Sequence, residues 1–503
     1  MKQWSIIVLI LLWLGWHLAR PVDLFQSDLG RHIKNGELIL QGNWDILYKN
    51  YYSYTYPEYP FINHHWLFGV FCYVCWHFFG FSGLAFIYLI IELITFLLFF
   101  RCWQRYSTFP IACAFGLLSI PLICFRPEIR PEGISYLFCG LFCWMIDSFQ
   151  QNRLRASSLI IGLCLIQVLW VNTHIFFLMG PIITCLFWWQ AFSHKQGEQT
   201  KVFQTLIFFL IGMCLVNPSG INGLLVPFTI DRAYFLFPTS ENQSILSFFK
   251  FKSPIYDSAY EYFLVSFLML NVVIFFLAKR EGWKKYILII IINFILAAAA
   301  MKSVRLIGFY PFFWITSSAF VFSQWMQYAE TPKTRKNFEI GLVLLGILLS
   351  SSVNFDWNQK PFFGILPGNN NAAEFFKREK LSGVIFNNAN IGNYLIFQLS
   401  PQQKVFLDMR IQPYPSDFLM NTYEQMNDET WHQLERKYNF NVIFISFERS
   451  PGAIKFLVHR LMDPSWAPVY YSKDAIIFLK RNNQNAPIIK RDELRPDKIM
   501  INF

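Results

Sequence analysis

The chain has 503 residues, of which 54% are hydrophobic, 19% aromatic and only 15% charged, with a formal net charge of +11. Soluble domains carry roughly 25% charged residues, so this composition points to a membrane protein. It excludes a disordered chain, a coiled coil and a small disulfide scaffold, and loop asymmetry accounts for the positive balance without nucleic acid as a partner.

The first apolar run covers 4–19, just after Lys2. It has the charge and apolar core of a signal peptide but no small-x-small cleavage site near Ala19-Arg20-Pro21, so it reads as a retained anchor. Further runs follow at 83–100, 109–125, 133–149, 157–171, 174–192, 203–217, 260–278, 285–300, 306–326 and 337–352. At about 16–20 residues, such runs can cross hydrocarbon roughly 30 Å thick as helices. A shorter run, Trp66–Phe79, holds His77 and ends at Gly80-Phe81-Ser82-Gly83.

Charge decides the topology. With Lys2 inside and Trp66–Phe79 lying along the outer surface, the inner loops hold Arg101, Arg105, Arg153, Arg155, Lys195, Lys201, Lys279, Arg280, Lys284, Lys285, Lys333, Arg335 and Lys336. The short outer loops hold only Arg126, Arg130, Lys302 and Arg305. Letting Trp66–Phe79 span would invert this bias. The expected fold is therefore a polytopic α-helical membrane protein of about eleven transmembrane helices with an outward C-terminus.

Residues 1–353 form the expected transmembrane domain, with a large first outer loop at 20–65 and a juxtamembrane helix near 66–79. From about Asn354 the composition turns polar, and 354–503 reads as a soluble, extracytoplasmic α/β domain. Strand-like stretches at 383–386, 404–407, 441–446, 469–471 and 475–479 alternate with helical patterns at 371–380 and 429–438. That alternation predicts a mostly parallel sheet with a terminal hairpin. All ten cysteines lie between Cys72 and Cys214, and Cys72-x-x-Cys75 lacks a second pair for zinc.

The topology gathers the polar oddities on the outer face. The loop 20–65 holds Asp28, His32, His64 and His65; Arg126, Glu128, Arg130 and Glu132, then Asn172 and His174, then Lys302 and Arg305 fall on the same side. Charged groups between helices at one face of a membrane line polar cavities or substrate paths. Each also has a plainer reading. Asp28 and His32, four apart, could be a surface pair on a helix, and His64-His65 a helix cap. The run from Arg126 to Glu132 could be a self-neutralising turn, Asn172 and His174 a cap, and Lys302 and Arg305 interfacial snorkelling. Asn217-Pro218-Ser219-Gly220 reads as a helix stop. The chain has no glycine-rich nucleotide loop, no P-loop and no G-x-S-x-G elbow. A phosphate-bearing lipid suits the face better, since Arg and Lys grip phosphate while apolar helices accept the chain.

The order Ser27-Asp28-Leu29-Gly30-Arg31-His32, then Tyr52-Ser53-x-Thr55, then His65-Trp66-Leu67, resembles the first outer loop of bacterial multispanning proteins in the C-type glycosyltransferase (GT-C) superfamily. Arg126-Pro127-Glu128, Trp170-x-Asn172-x-His174, Asn217-Pro218-x-Gly220 and Arg305 match later blocks, as do Gly392-Asn393-Tyr394-Leu395 and Val405-Phe406-Leu407-Asp408-x-Arg410. The resemblance implies a transferase that takes a sugar from a polyprenyl-phosphate carrier and works outside the cytoplasmic (inner) membrane on a glycan or lipid acceptor. It also implies an early acidic residue as base or metal ligand, which Asp28 matches. Members of the superfamily show paired acids in this loop; here Leu29-Gly30 follows Asp28, and Asn50 stands where an acid is expected. A divalent cation (Mg or Mn) stays open as a cofactor.

The chemistry asks for a carboxylate to take the acceptor's proton and cations to receive the leaving phosphate. Asp28 is the expected base, with His32 orienting or substituting for it. Arg126, Arg130, Lys302 and Arg305 are the expected phosphate contacts. His64, His65, Glu128, Asn172 and His174 would meet sugar or acceptor hydroxyls. Asp408 and Arg410 follow a strand end and read equally as ligand contacts or an ion pair. A transporter or flippase of lipid-linked sugars would instead favour ionisable groups deep in several helices. A non-catalytic envelope assembly protein would be indifferent to a change at Asp28.

Overall fold

A computed structural model describes residues 2–236, 243–247, 258–329, 331–351, 362–424, 427–447 and 451–499. The expected domain boundary near Asn354 lies outside these residues. The chain divides into two compact units. The first holds the residues up to Arg20, then Ala85–Pro227, and the described residues of 238–363; the second holds Pro21–Leu84, the described residues of 228–237 and those from Gly364.

The first unit is helical, because its apolar runs can satisfy their backbone groups only within themselves. Helices cover Lys2–Leu18, Phe109–Ile123, Pro131–Gln150, Ala156–Val171, Met179–Ser193, Gly197–Met213, Ser258–Glu281, Ile287–Lys302, Tyr310–Trp325 and Pro332–Ser351. A helix from Gly220 to Leu236 was not foreseen. Asn217 does stop the preceding helix, donating to the carbonyls of Cys214 and Gly220, but Gly220 then opens a new one. Among the described residues four helical segments are long and apolar enough to cross a membrane: Trp66–Gln104, Ile175–Ser193, Ser258–Glu281 and Val304–Tyr328. Aromatic rings fill the core, with Phe96, Phe99, Phe100 and Trp103 almost wholly buried. Polar ties join its helices: Trp13 Nε1 donates to Ser350 Oγ at 3.1 Å, and Tyr262 to the Leu118 carbonyl at 2.6 Å.

Helix Trp66–Gln104 begins in the second unit and ends in the first. It is broken at Gly80 (φ 64°, ψ −171°), a conformation an L-residue resists, where the sequence expects the juxtamembrane helix to stop.

The second unit contains a four-stranded sheet: β1 (Ile385–Phe386), β2 (Val442–Ser446), β3 (Trp466–Tyr471) and β4 (Ala475–Lys480), in the order β1-β2-β4-β3. Only β1 and β2 are parallel; β2–β4 and β3–β4 are antiparallel. This corrects the expectation of a mostly parallel sheet. The β3–β4 hairpin returns into the sheet, so β4 takes the central place beside β2. Both central strands are continuous apolar runs covered on both faces. Helix Asp428–Tyr438 is capped by Asn427, which accepts from the Thr430 amide at 2.8 Å, and its Trp431 enters a cluster with Phe386, Phe440 and Trp466.

The stretch 404–407 is also corrected. It joins no named strand; Val405 instead forms an isolated parallel bridge to Ser53. The Val405 amide donates to the Tyr52 carbonyl (3.0 Å), and the Tyr54 amide to that of Val405 (3.2 Å). A second bridge joins Val22 to Ile365. The segment 21–65 is thus bonded to residues more than 300 positions later.

Candidate functional site

In the second unit, Asp28 stands immediately before helix Leu29–Leu40. Its Oδ1 accepts a 2.5 Å hydrogen bond from Asn393 Nδ2 and lies 3.6 Å from the Arg31 guanidinium. The Asp28 side chain is 39% exposed while that of Arg31 is 6% exposed, so the carboxylate is held from behind and open in front. Helix Ala389–Leu399 can bring Asn393 this close because Gly30 has no side chain: a Cβ there would sit 2.8 Å from Cβ of Phe397. Similarly, a Cβ at Gly36 would strike the Gly69 carbonyl, so helix Leu29–Leu40 lies directly on the helix that starts at Trp66.

His32 is buried in that helix contact, edge-on to Phe68 (5.1 Å) and His65 (5.7 Å), and the His64 ring lies 3.9 Å from that of His65. The three histidines therefore form one ring cluster where helix Leu29–Leu40 meets the start of the helix from Trp66.

Asp408 and Arg410 form a buried bidentate pair at 2.7 Å for each contact. Arg410 also donates to Asn50 Oδ1 at 2.9 Å and lies over the Phe61 ring at 4.9 Å, while Tyr414 donates to Asp408 at 2.9 Å. Burial pushes the Asp408 carboxyl up, but the Arg410 guanidinium outweighs it and, with help from Arg31, holds the carboxyl below its ordinary value. Asn50, where an acid was expected, fits as an amide: it accepts from Arg410 and donates to the Pro413 carbonyl at 3.0 Å.

In the first unit the focus is a residue that the sequence reading did not assign to the site. Glu132, in the first turn of helix Pro131–Gln150, is 5% exposed. Arg305 holds its Oε1 with both Nε and a terminal nitrogen at 2.6 Å. His174 Nε2 is 3.9 Å from Oε2, and His174 Nδ1 is 2.9 Å from Ser135 Oγ, which accepts from Trp170 Nε1 at 2.8 Å. Arg126 and Arg130 are within electrostatic reach of the same carboxylate. Arg130 also lies 3.8 Å from the exposed Glu128, and its backbone carbonyl accepts from Tyr88 at 2.9 Å. Arg126 lines a narrow cleft of about 30 Å³ with Arg20, Tyr88, Glu92 and Tyr136.

Asn172 ties its turn together, donating to the carbonyls of Val168 (2.7 Å) and Val216 (2.8 Å). Lys302 is exposed at the end of its helix, three residues before Arg305. The structure thus brings Arg126, Arg130, Arg305 and His174 round Glu132 in the first unit, and in the second it clusters His32, His64 and His65 and sets Asp28 against Asn393 and Arg31.

Among the described residues no group of three or more His, Cys, Asp or Glu side chains is placed to hold a metal ion. At Asp28 the neighbours are an amide N–H and a guanidinium, a set that does not fit a divalent cation.

No protein-family model matches the chain, and no curated protein matches it by sequence. Solved structures do. The oligosaccharyltransferase of Archaeoglobus fulgidus, tethered with an acceptor peptide containing the NVT sequon, aligns with a TM-score of 0.60 and 11% identity over 96% of this chain and 74% of that one. The same enzyme in complex with Zn and sulfate aligns at 0.54 and 11% over 94% and 73%. ArnT from Cupriavidus metallidurans, bound to undecaprenyl phosphate, aligns at 0.50 and 10% over 95% and 97%. At such identities the likeness establishes fold: the chain is mostly helical, with helical segments long and apolar enough to cross a membrane and a small C-terminal sheet, and it folds as the oligosaccharyltransferase and ArnT structures do.

Proposed function

We propose that the chain is a membrane glycosyltransferase that moves a sugar from a polyprenyl-phosphate donor to a glycan or lipid acceptor on the outer side of the cytoplasmic membrane. About eleven spans would leave the N-terminus inside and the C-terminal α/β domain, 354–503, outside. The observation that carries the reading is the Asp28 carboxylate, open on one side and fixed on the other by Asn393, in a chain of this fold.

In this mechanism an acceptor hydroxyl attacks the anomeric carbon and the bond from that carbon to the phosphate oxygen breaks. Asp28 receives the hydroxyl proton, and polyprenyl phosphate leaves with the bonding electrons. Because Asn393 occupies Oδ1, the acceptor would meet Oδ2. Arg126, Arg130 and Lys302 would stabilise the charge that grows on the phosphate. Arg305 would act with Glu132 as a fixed pair, donating from its remaining N–H groups. His64, His65, Glu128, Asn172 and His174 would line the sugar and acceptor, with His32 orienting the base or substituting for it.

The test is Asp28→Asn in native membranes, with expression matched to wild type. Loss of a sugar-bearing product together with accumulation of its lipid-phosphate sugar supports the reading. An unchanged profile, where deleting the gene does change it, overturns Asp28 as base. Accumulation of the lipid-linked sugar on the inner face alone would favour a flippase.

A further inference from the structure

At the other end of helix Pro131–Gln150 from Glu132 lies a separate cationic cleft. Glu132 and Asp147 are fifteen residues apart, about 22 Å along a helix. The cleft has a volume of about 470 Å³ and is lined by Arg101, Gln104, Arg105, Trp144 and Arg153. Arg101 and Gln104 come from the last turn of helix Trp66–Gln104, Trp144 from the penultimate turn of Pro131–Gln150, and Arg153 from the turn that follows it.

The charges do not balance. Asp147 is the acid here, and it is fully engaged: Arg105 pairs with it, Tyr106 donates to it at 3.0 Å and Gln151 at 2.9 Å. Among the described residues Arg101 donates only to the neutral Gln104 Oε1 at 3.2 Å, and it lies over the Trp4 ring at 4.1 Å. Among the described residues neither Arg101 nor Arg153 has a carboxylate within salt-bridge distance, and Arg155 adds a further exposed cation close by. Two guanidiniums thus face the cleft with their charge uncompensated, beside a third that is compensated.

We propose that this cleft binds the phosphate of an anionic phospholipid headgroup. Guanidinium forks match phosphate oxygens, and basic pockets between the ends of membrane helices recognise anionic headgroups. A lipid is favoured over a soluble phosphate by the setting: Trp144 and Trp4 are 39% and 55% exposed at the same helix ends, where amphipathic rings sit at headgroup level. The site lies on the side that the charge pattern makes cytoplasmic, and it does not depend on the transferase reading.

The experiment uses the full chain in mixed micelles, with binding of phosphatidylglycerol, phosphatidylcholine and inorganic phosphate measured for wild type, Arg153→Gln, the double variant Arg101→Gln/Arg153→Gln and the control Arg155→Gln. All variants leave the Arg105–Asp147 pair intact. Phosphatidylglycerol affinity should fall about fivefold for R153Q and about thirtyfold for the double variant, and hardly at all for R155Q. R153Q removes a side chain with no protein partner among the described residues, so it tests the site even if the double variant fails to fold. Equal loss in R155Q, equal binding of phosphatidylcholine, unchanged affinity in R153Q, or inorganic phosphate binding as tightly as the lipid would each overturn the assignment.

Discussion

Arg410→Met tests whether the second unit is closed by a buried ion pair. Asp408 is wholly buried and Arg410 is 5% exposed, so removing the guanidinium leaves the carboxylate with the Tyr414 hydroxyl and the Arg410 backbone amide as its hydrogen-bond donors among the described residues. Breaking one side of such a pair costs about 3–5 kcal/mol. Asn50 Oδ1 loses its donor too, which places the loss toward the upper end. The amides of Tyr54 and Val405, which bond segment 21–65 to the later chain, report the opening directly. Their hydrogen exchange should accelerate roughly 150- to 5000-fold. Adding Asp408→Asn to Arg410→Met removes the stranded charge and should restore about 2 kcal/mol, making the double variant more stable than the single one. If Arg410→Met accelerates exchange less than fivefold, or if the two substitutions simply add, the pair is not what closes this unit.

The same pair sets an acid limit. Because Arg410 holds the Asp408 carboxyl below its ordinary value, the contribution is fully present above about pH 3.9 and is lost as pH falls through the lower folded-state value. The stability difference between wild type and Asp408→Asn should therefore be flat from pH 7 to about 4 and shrink below it in thermal melts. In the first unit, Glu132→Gln strands a largely buried Arg305 and should cost about 3–5 kcal/mol, whereas Glu128→Gln, an exposed carboxylate 3.8 Å from its partner, should cost about 0–1 kcal/mol. Equal melting points for the two variants would contradict the role given to Glu132. Gly36→Ala drives a methyl into the Gly69 carbonyl and should cost about 1–3 kcal/mol, while Gly197→Ala, with open space round it, should be neutral. Asn393→Ala removes a hydrogen bond to a charged group and should lower transfer about tenfold or more, with expression unchanged; a wild-type rate would show that Asp28 needs no such support.

Much of the helical part was legible because apolar length in a membrane leaves the backbone one solution. The break after Trp66–Phe79 was legible from its glycines for a related reason: Gly80 adopts a backbone that other residues resist. Side-chain partnerships were less accessible. Glu132 follows Pro131 at a helix start, where an acid is ordinary, so nothing local marks it as the partner of a residue 173 positions away. Asn393 is 365 residues from Asp28, and although it stands in one of the matching blocks, nothing in that block names Asp28 as its partner. The stretch 404–407 has strand composition, yet its backbone pairs with Tyr52 and Tyr54; composition marks a segment that wants a partner without saying which. The antiparallel place of β4 depends on a hairpin folding back into the sheet, a matter of topology that periodicity does not encode.

The bridges from Val22 to Ile365 and from Ser53 to Val405 also constrain the order of synthesis. A ribosome makes residues 21–84 long before Gly364, yet this early segment shares its packing with the last part of the chain. Asp28 is therefore translated without the amide that later fixes it, and the guanidinium that Asn50 accepts arrives with Arg410. Such long-range closure is slow to form and leaves apolar surface waiting during synthesis. Nascent or prematurely terminated chains carry the Asp28 carboxylate without its Asn393 partner, which arrives only when the C-terminal segment docks.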